Sequence, residues 1–301
     1  MLLRPAIHLC ILTVLAVRAS LEQNERTIVS IFVNPAQFAP HEDLATYPRT
    51  VDADLALLRQ VTLASESSGT RAVDAVFVPP VEALYPGGIT TDVSRQRGAF
   101  VEVKGLQDVM EGASRPGFFR GVATVVTKLF NIVEPDRTYF GQKDIQQALL
   151  LRRMLSDLHV RRPSPDDLKI MPTFRDPKSR LALSSRNLYL SEDERQFATV
   201  LIDALTASER VWLDQRSRGN GEVNVKEVLT AARHHIADIE TKAHGKGVHV
   251  KGMYVAMNDP DELRDLEDET VPAGKGAVLS GAVMLGRTRL IDNLVFDYKL
   301  N

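Results

Sequence analysis

The sequence predicts an α/β protein, with a parallel-sheet domain over residues 1–174 and a smaller α+β domain over 175–301. Three observations lead there. Short apolar runs stop at prolines: Thr27 to Val33 at Asn34-Pro35, Asp74 to Val78 at Pro79-Pro80, and Leu168 to Met171 at Pro172. Stretches of helical periodicity lie between them, the alternation that gives parallel strands joined by right-handed crossovers. After Phe174 the pattern changes, with two long helical stretches preceding two apolar runs.

The elements follow in order. Met1-Leu2-Leu3-Arg4, the apolar run Ala6 to Val17 and then Arg18-Ala19-Ser20 imitate a secretory signal peptide. The run is too short to span a membrane, and the plainer reading is a strand or helix packed in the core. Thr50 is expected to cap a helix reaching Gln60, with Asp52 and Asp54 near its positive end. Phe100 to Val103 is expected as a further strand. The clearest helix comes next: Val122, Val125, Val126, Leu129, Phe130 and Val133 share one face, after Pro116-Gly117 and before Pro135. Thr138 to Phe140 is the next strand. Asp144 is expected to cap a helix through Leu158, whose stripe is Ile145, Ala148, Leu149, Leu155 and Leu158. In the second domain Ser191 to Glu194 read as a capping box for a long helix towards Trp212. Arg216 to Gly221 is a polar loop, and Asn224 caps a helix over Val225 to Thr241. Val248 to Met257 and Ala277 to Leu285 are the strands.

Bulk properties exclude several function classes. With 301 residues, 44% of them hydrophobic, the chain is long enough for two cores. A net charge of −2 gives no electrostatic case for nucleic acid or an anionic membrane. The pairs Arg152-Arg153 and Arg161-Arg162 read as solvated helix ends. Cys10 is the only cysteine, so an intrachain disulfide or a cysteine metal cluster is ruled out, and a reducing compartment fits. His41, followed by Glu42 and Asp43, reads as a surface loop. His234-His235 has no carboxylates at ligand spacing, so no metal site is expected. Gly-x-Gly-x-x-Gly, Walker and Gly-x-Ser-x-Gly motifs are absent.

Chemistry is expected where strands give way to helices, because loops converge there and helix N-termini offer free N–H groups. Three segments stand at such places: Ser30 to Phe38, Tyr139 to Gln147 and Leu181 to Asn187. Asn34 and Gln37, with Pro35 fixing the turn, can hydrogen-bond the hydroxyl and carboxylate of a small acid; alone, they equally fit a turn that satisfies its own backbone. Gly141 permits close backbone approach, Lys143 can neutralise a phosphate, and Asp144 can cap a helix or hold a ribose hydroxyl. Gln147 lies one turn further on and can face the same cleft. Ser184, Ser185 and Arg186 offer two hydroxyls and a forked cation suited to polyphosphate, or else to capping a helix.

The order and wording of these segments resemble one family. Ser30 to Phe38, Tyr47-Pro48-Arg49-Thr50 with Asp54, and Arg115-Pro116-Gly117 leading into Gly121 to Asn131 are similar to the pantoate–β-alanine ligases. So are Phe140 to Asp144, Leu183 to Asn187 and Gly286 to Asn293, and the likeness runs from about Val17 to the C-terminus. The resemblance implies a Rossmann-like nucleotidyltransferase domain, a smaller C-terminal lid domain and a cytoplasmic homodimer. It implies ATP, pantoate and β-alanine as substrates and Mg²⁺ with the ATP. Pantoate carboxylate attacks the α-phosphorus, releasing pyrophosphate, and β-alanine then displaces AMP from pantoyl adenylate. Carried over by position, Gln37 and Gln147 bind pantoate, with Asn34 beside them and Gln37 also near β-alanine. Gly141, Gln142, Lys143 and Asp144 hold ATP, with Lys143 on phosphate. Phe174 lines the adenine side, and Leu183, Ser184, Ser185 and Arg186 close over the phosphates.

The departures from the family pattern are local. Members carry a Met-Gly-x-x-His-x-Gly-His loop whose histidines face the phosphates, and counting back from Val17 puts these near Cys10 and Thr13; His8 is not spaced to replace them. The same count implies that the first strand of the sheet is missing and the first domain incomplete at its N-terminus. A start-site or splicing error is the expected cause, ahead of a catalytically impaired pantoate-binding protein and of a secreted relative. Loss of the His loop from the mature product would severely impair adenylation. Gln142 replaces the usual Glu, Phe118 stands where His is common, and the loop near Lys178 to Arg180 is one residue longer.

Overall fold

Buried apolar runs build a five-stranded parallel sheet in the first part of the chain. The strand β1 (Leu2–Arg4) leads to α1 (Ile11–Gln23), β2 (Ile28–Ile31), α2 (Val51–Gln60), the hairpin β3 (Leu63–Ser65) and β4 (Gly69–Arg71), and β5 (Ala75–Phe77). Two single-turn helices, α3 (Val81–Leu84) and α4 (Glu111–Ser114), precede α5 (Phe118–Val133), β6 (Thr138–Gly141), α6 (Ile145–Asp157) and β7 (Leu168–Met171). The sheet order is β5-β2-β1-β6-β7, with every pairing parallel. This computed structural model describes residues 2–4, 11–38, 44, 50–65 and 69–301. It divides into one unit up to Pro172, with Asn301 added, and a second unit Thr173–Leu300.

The missing first strand is a correction. Leu2 to Arg4 fill the middle of the sheet, pairing with Val29 to Ile31 on one side and Leu2 with Tyr139 on the other. Without them β2 and β6 would each present an unpaired edge in the interior, where backbone groups need partners. The apolar run that imitates a leader continues into α1, whose Val17 and Leu21 are buried against Val29, Ile31, Leu58 and Tyr139. Of this run, Ile11 to Val17 fall in α1, while Ala6 to Cys10 lie outside the described residues. Among the described residues no helix is long and apolar enough to cross a membrane.

Several local expectations also change. Phe100 to Val103 is not a strand: the Val101 N–H donates to Thr124 Oγ1 and the Val103 N–H to Gln107 Oε1, so side chains take the place of a partner strand. Thr50 stands at the N-cap of α2, but its hydroxyl donates to Asp54 rather than accepting a backbone N–H. Asp144 likewise makes no side-chain cap on α6. Leu158 follows α6 and is half exposed, while Ile145, Ala148, Leu149 and Leu155 are buried as expected. Arg152 donates to the Leu168 carbonyl and Arg162 pairs with Asp136 at 3.0 Å, so these arginines tie loops together.

The second unit holds α7 (Glu192–Arg195), α8 (Val200–Ser217), β8 (Val223–Asn224), α9 (Val225–His244), β9 (Val250–Asn258), β10 (Thr270–Val271), β11 (Ala277–Leu285) and β12 (Thr288–Phe296). Its antiparallel sheet runs β9-β11-β12 and shares a core with α8 and α9, where Trp212 stacks on Phe296 at 4.8 Å. The Ser191 capping box forms, but it starts only one turn, and the long helix begins again at Val200. Asn224 caps α9 by accepting the Glu227 N–H. Arg216 is no loop residue: it lies in the last turn of α8, pairs with Asp297 at 2.8 Å and donates to the Pro272 carbonyl. Strand β12, not foreseen, is joined to β11 by the two-residue turn Gly286-Arg287, with Gly286 at φ +56°.

Candidate active site

The chain runs outward from β1 in both directions, to β2 and β5 on one side and to β6 and β7 on the other. Such a reversal opens a crevice at the carboxyl ends of the strands, where ligands bind in open α/β sheets. The turns that leave β2 and β6 carry two of the three expected segments. The segment leaving β1, residues 5–10, lies outside the described residues, and with it His8 and Cys10; Thr13 falls in the first turn of α1. His41 to Asp43 and Tyr47 to Arg49 also lie outside them.

After β2 the chain turns through Pro35–Gln37, capped by Asn34. Asn34 is buried and its amide is fully used within the protein. Its Oδ1 accepts from the Tyr85 hydroxyl at 2.7 Å and the Ala36 N–H at 3.3 Å. Its Nδ2 donates to the Gly121 carbonyl at 3.0 Å and to Gln37 Oε1 at 3.3 Å. An amide offers two acceptor and two donor positions, so all four are occupied. Asn34, expected beside the substrate, holds the turn through these bonds, and its partner Gln37 is half-buried. Gly121 makes this packing feasible: a Cβ there would lie 2.5 Å from the Ala36 carbonyl carbon and 2.7 Å from the Gln37 nitrogen. Tyr85 is held in turn by Lys128, whose Nζ sits 4.0 Å from the ring centroid and donates to the Leu84 carbonyl at 2.6 Å. Burial pushes the Tyr85 phenol far above its ordinary range, so the hydroxyl remains a donor at every working pH. Burial also lowers the Lys128 ammonium.

The turn after β6 carries Gly141, Gln142, Lys143 and Asp144 into the start of α6. Gly141 has an ordinary φ of −85°. A Cβ there would meet no atom of the described residues within 4 Å, its chain neighbours apart. Neither the backbone nor the packing of the protein therefore requires glycine, which leaves open space for a ligand. Lys143 is only 12% exposed, with Nζ 3.9 Å from Asp144 Oδ1, while Asp144 is 55% exposed. The adjacent glutamines divide their roles. Gln146 is buried and clamps the preceding loop, donating to the Leu106 and Val109 carbonyls and accepting the Glu111 N–H. Gln147 is half-buried, one position round the helix.

The third segment belongs to the second unit. The Leu183 N–H donates to the Phe174 carbonyl at 2.9 Å and the Asp176 N–H to the Leu181 carbonyl at 2.9 Å, so Phe174 and Leu183 face each other across a short antiparallel loop. Asp176 closes its tip by accepting the Lys178 and Ser179 N–H groups and the Ser179 hydroxyl, and the hydrogen bonds from Ser179 hold its carboxyl below the usual range. The tip includes Arg180 at φ 61°. Ser184 accepts the Arg186 N–H at 3.3 Å and starts the turn Ser185–Tyr189, which leaves Arg186 exposed. The base of the loop is braced by a side-chain pair that local sequence patterns do not flag. Arg175 grips Asp292 of β12 through two bonds of 2.5 and 3.0 Å, with Asp292 only 5% exposed. A bidentate, largely buried pair of this kind fixes geometry more than it adds stability.

Among the described residues no group of three His, Cys, Asp or Glu side chains is placed to hold a metal. Phe118 begins α5, with the Arg115 guanidinium 3.8 Å from its ring centroid.

Comparison with known proteins agrees with this arrangement. The family model for "Pantoate-beta-alanine ligase" matches residues 10–295. The pantothenate synthetase of Roseiflexus castenholzii is 43% identical over 281 residues, covering 93% of this chain and 86% of the relative. The crystal structure of pantothenate synthetase from Thermus thermophilus superposes with a TM-score of 0.77 at 35% identity, covering 99% of this chain and 93% of that one. A pantoate-beta-alanine ligase from Francisella tularensis, complexed with beta-gamma ATP and beta-alanine, shares the fold at TM-score 0.62 and 24% identity, covering 100% and 90%. The chain belongs to the pantoate–β-alanine ligase family.

Proposed function

We propose that the protein condenses pantoate with β-alanine at the expense of ATP, through pantoyl adenylate, releasing pyrophosphate and AMP. The observation that carries this reading is the placement of the Gln37 turn and the Lys143 turn at the carboxyl ends of β2 and β6, either side of β1. Gln37 and Gln147 hold pantoate, and Gln37 also meets β-alanine. Gly141 to Asp144 receive ATP in the open space before Gly141, with Lys143 and the N-terminal amides of α6 opposing phosphate charge. Phe174 and Leu183 line the nucleotide, and Ser184, Ser185 and Arg186 stabilise the departing pyrophosphate. Reaction then depends on holding the carboxylate against the α-phosphorus, since the protein itself forms no covalent bond. Mg²⁺ enters on the ATP phosphates, which suits an ion that keeps most of its waters and needs few protein ligands. A cytoplasmic homodimer is part of the same proposal, on the resemblance alone. The alternative, a catalytically impaired pantoate-binding protein, finds no support in the relatives.

The test is an omission series with the purified 301-residue chain. AMP release is expected with ATP, pantoate and β-alanine together, and only background release when any one is withheld. AMP release that ignores pantoate would overturn the proposal.

A further inference from the structure

The two ends of the Gln37 amide are chemical opposites, Oε1 accepting and Nε2 donating. Which end a ligand meets is decided by backbone groups on the far side of Asn34. The Ala36 N–H can only donate, and it points at Asn34 Oδ1; the Gly121 carbonyl can only accept, and it faces Asn34 Nδ2. These two partners fix the Asn34 amide in one orientation. The Tyr85 hydroxyl, 2.7 Å from Oδ1, must then donate. The remaining Asn34 N–H faces Gln37 and requires an acceptor, Oε1, at 3.3 Å. The Gln37 Nε2 group is left on the side away from Asn34, with no hydrogen-bond partner among the described residues, and the side chain is half-buried.

We propose that Tyr85 is a positioning residue for the acid substrate: its 2.7 Å bond to Oδ1 adds to those of Ala36 and Gly121 in anchoring the Asn34 amide, so that Gln37 is held with its amide donors, and not its carbonyl, towards the ligand. The site therefore selects a group that only accepts at that point, a carboxylate or a hydroxyl lone pair, as pantoate supplies. This rests on the reading that Gln37 binds pantoate. Tyr85 suits the task because its phenol is buried, stays protonated, and is clamped from the other face by Lys128. Nothing in local sequence pattern links it to Gln37, 48 positions away.

The experiment is a double-mutant cycle of Tyr85→Phe and Gln37→Ala, with Gln37→Glu as a separate variant, read as KM and kcat for pantoate and KM for ATP. Tyr85→Phe is expected to raise the pantoate KM about tenfold, the loss of one orienting hydrogen bond, with ATP KM unchanged. In the Gln37→Ala background the same change is expected to have almost no further effect, because its target is gone. Gln37→Glu keeps an acceptor for Asn34 but offers no donor, and like-charge repulsion is expected to weaken pantoate by more than about a hundredfold. Equal losses from Tyr85→Phe in both backgrounds would mark a merely structural residue and overturn the proposal. So would a Gln37→Glu variant that binds pantoate normally, a readout that stands even if Tyr85→Phe fails to fold. A Gln37→Ala variant with normal pantoate KM would instead remove the underlying site reading.

Discussion

Gly121→Ala is expected to lower pantoate-dependent AMP release by about a hundredfold, the penalty for misplacing a substrate-positioning group by about 1 Å. Two effects of opposite sign decide its stability. Alanine is the better helix former by about 1 kcal/mol. Against that, the new Cβ would stand 2.5 Å from the Ala36 carbonyl carbon and 2.7 Å from the Gln37 nitrogen, and closer still to the Ala36 oxygen. These are backbone atoms, which cannot swing aside as a side-chain tip would. Overpacking a buried site costs about 1–3 kcal/mol, and a clash with backbone falls in the upper part of that range, about 2–3 kcal/mol, so the clash wins and the net loss is about 1–2 kcal/mol. The helix α5 is buried along most of its length, so the turn carrying Gln37 is the part that moves. A thermal melt lowered by a few degrees, with a pantoate KM raised far more than the ATP KM, is the expected pair of results. Gly141→Ala is the natural control for the melt, since no atom of the described residues lies within 4 Å of its Cβ, its chain neighbours apart.

Lys143→Met is expected to act on rate and leave the fold alone. The side chain keeps its length and apolar stem but loses its charge. Removing one group that opposes developing charge in a water-poor site typically costs about 10²–10³ in rate, about 3–4 kcal/mol of barrier. The loss of the ion pair itself is small, because Asp144 is 55% exposed and 3.9 Å away and such solvent-screened pairs contribute only about 0–1 kcal/mol, while methionine keeps the packing of the largely buried stem. AMP formation should therefore collapse while the melting temperature stays within about a degree or two and pantoate still binds. A variant that loses pantoate binding as severely as turnover would place Lys143 on the wrong substrate.

Local pattern revealed the frame of this fold. Proline-stopped runs located β2 and β7, helical periodicity located α5 and α6, and Asn224 marked the start of α9. What it could not reveal depends on distant partners. β1 is three residues long and becomes a strand only because β2 and β6 flank it. β12 hides behind Arg289, Asp292 and Asn293, which interrupt its apolar run. Asp292 is tolerated there because Arg175, 117 positions earlier, neutralises it. The caps expected at Thr50 and Asp144 show the converse, since a suitable residue at a helix start is not obliged to bond its backbone.

The site was legible to the same degree. The motifs marked the turns after β2 and β6 that carry Gln37, Gly141 to Asp144 and Gln147, but not which side chains in them are tied up within the protein. Asn34 is saturated by Tyr85, Ala36, Gly121 and Gln37, and Gln146, next to Gln147, is buried as a loop clamp; neither is apparent from local pattern. Gly121 did leave a signal, an isolated glycine inside a strongly amphipathic helix, which usually has a packing reason. Tyr85 left none.

The measurement that bears most directly on the central claim follows oxygen. Pantoate labelled with ¹⁸O in its carboxylate is supplied with ATP and β-alanine, and the AMP is weighed by mass spectrometry. Attack of the carboxylate on the α-phosphorus places one pantoate oxygen in the phosphoanhydride bridge, and displacement by the amine leaves that oxygen on AMP. One ¹⁸O per AMP formed is the predicted result. Unlabelled AMP, or label found in pyrophosphate or inorganic phosphate, would contradict ligation through pantoyl adenylate.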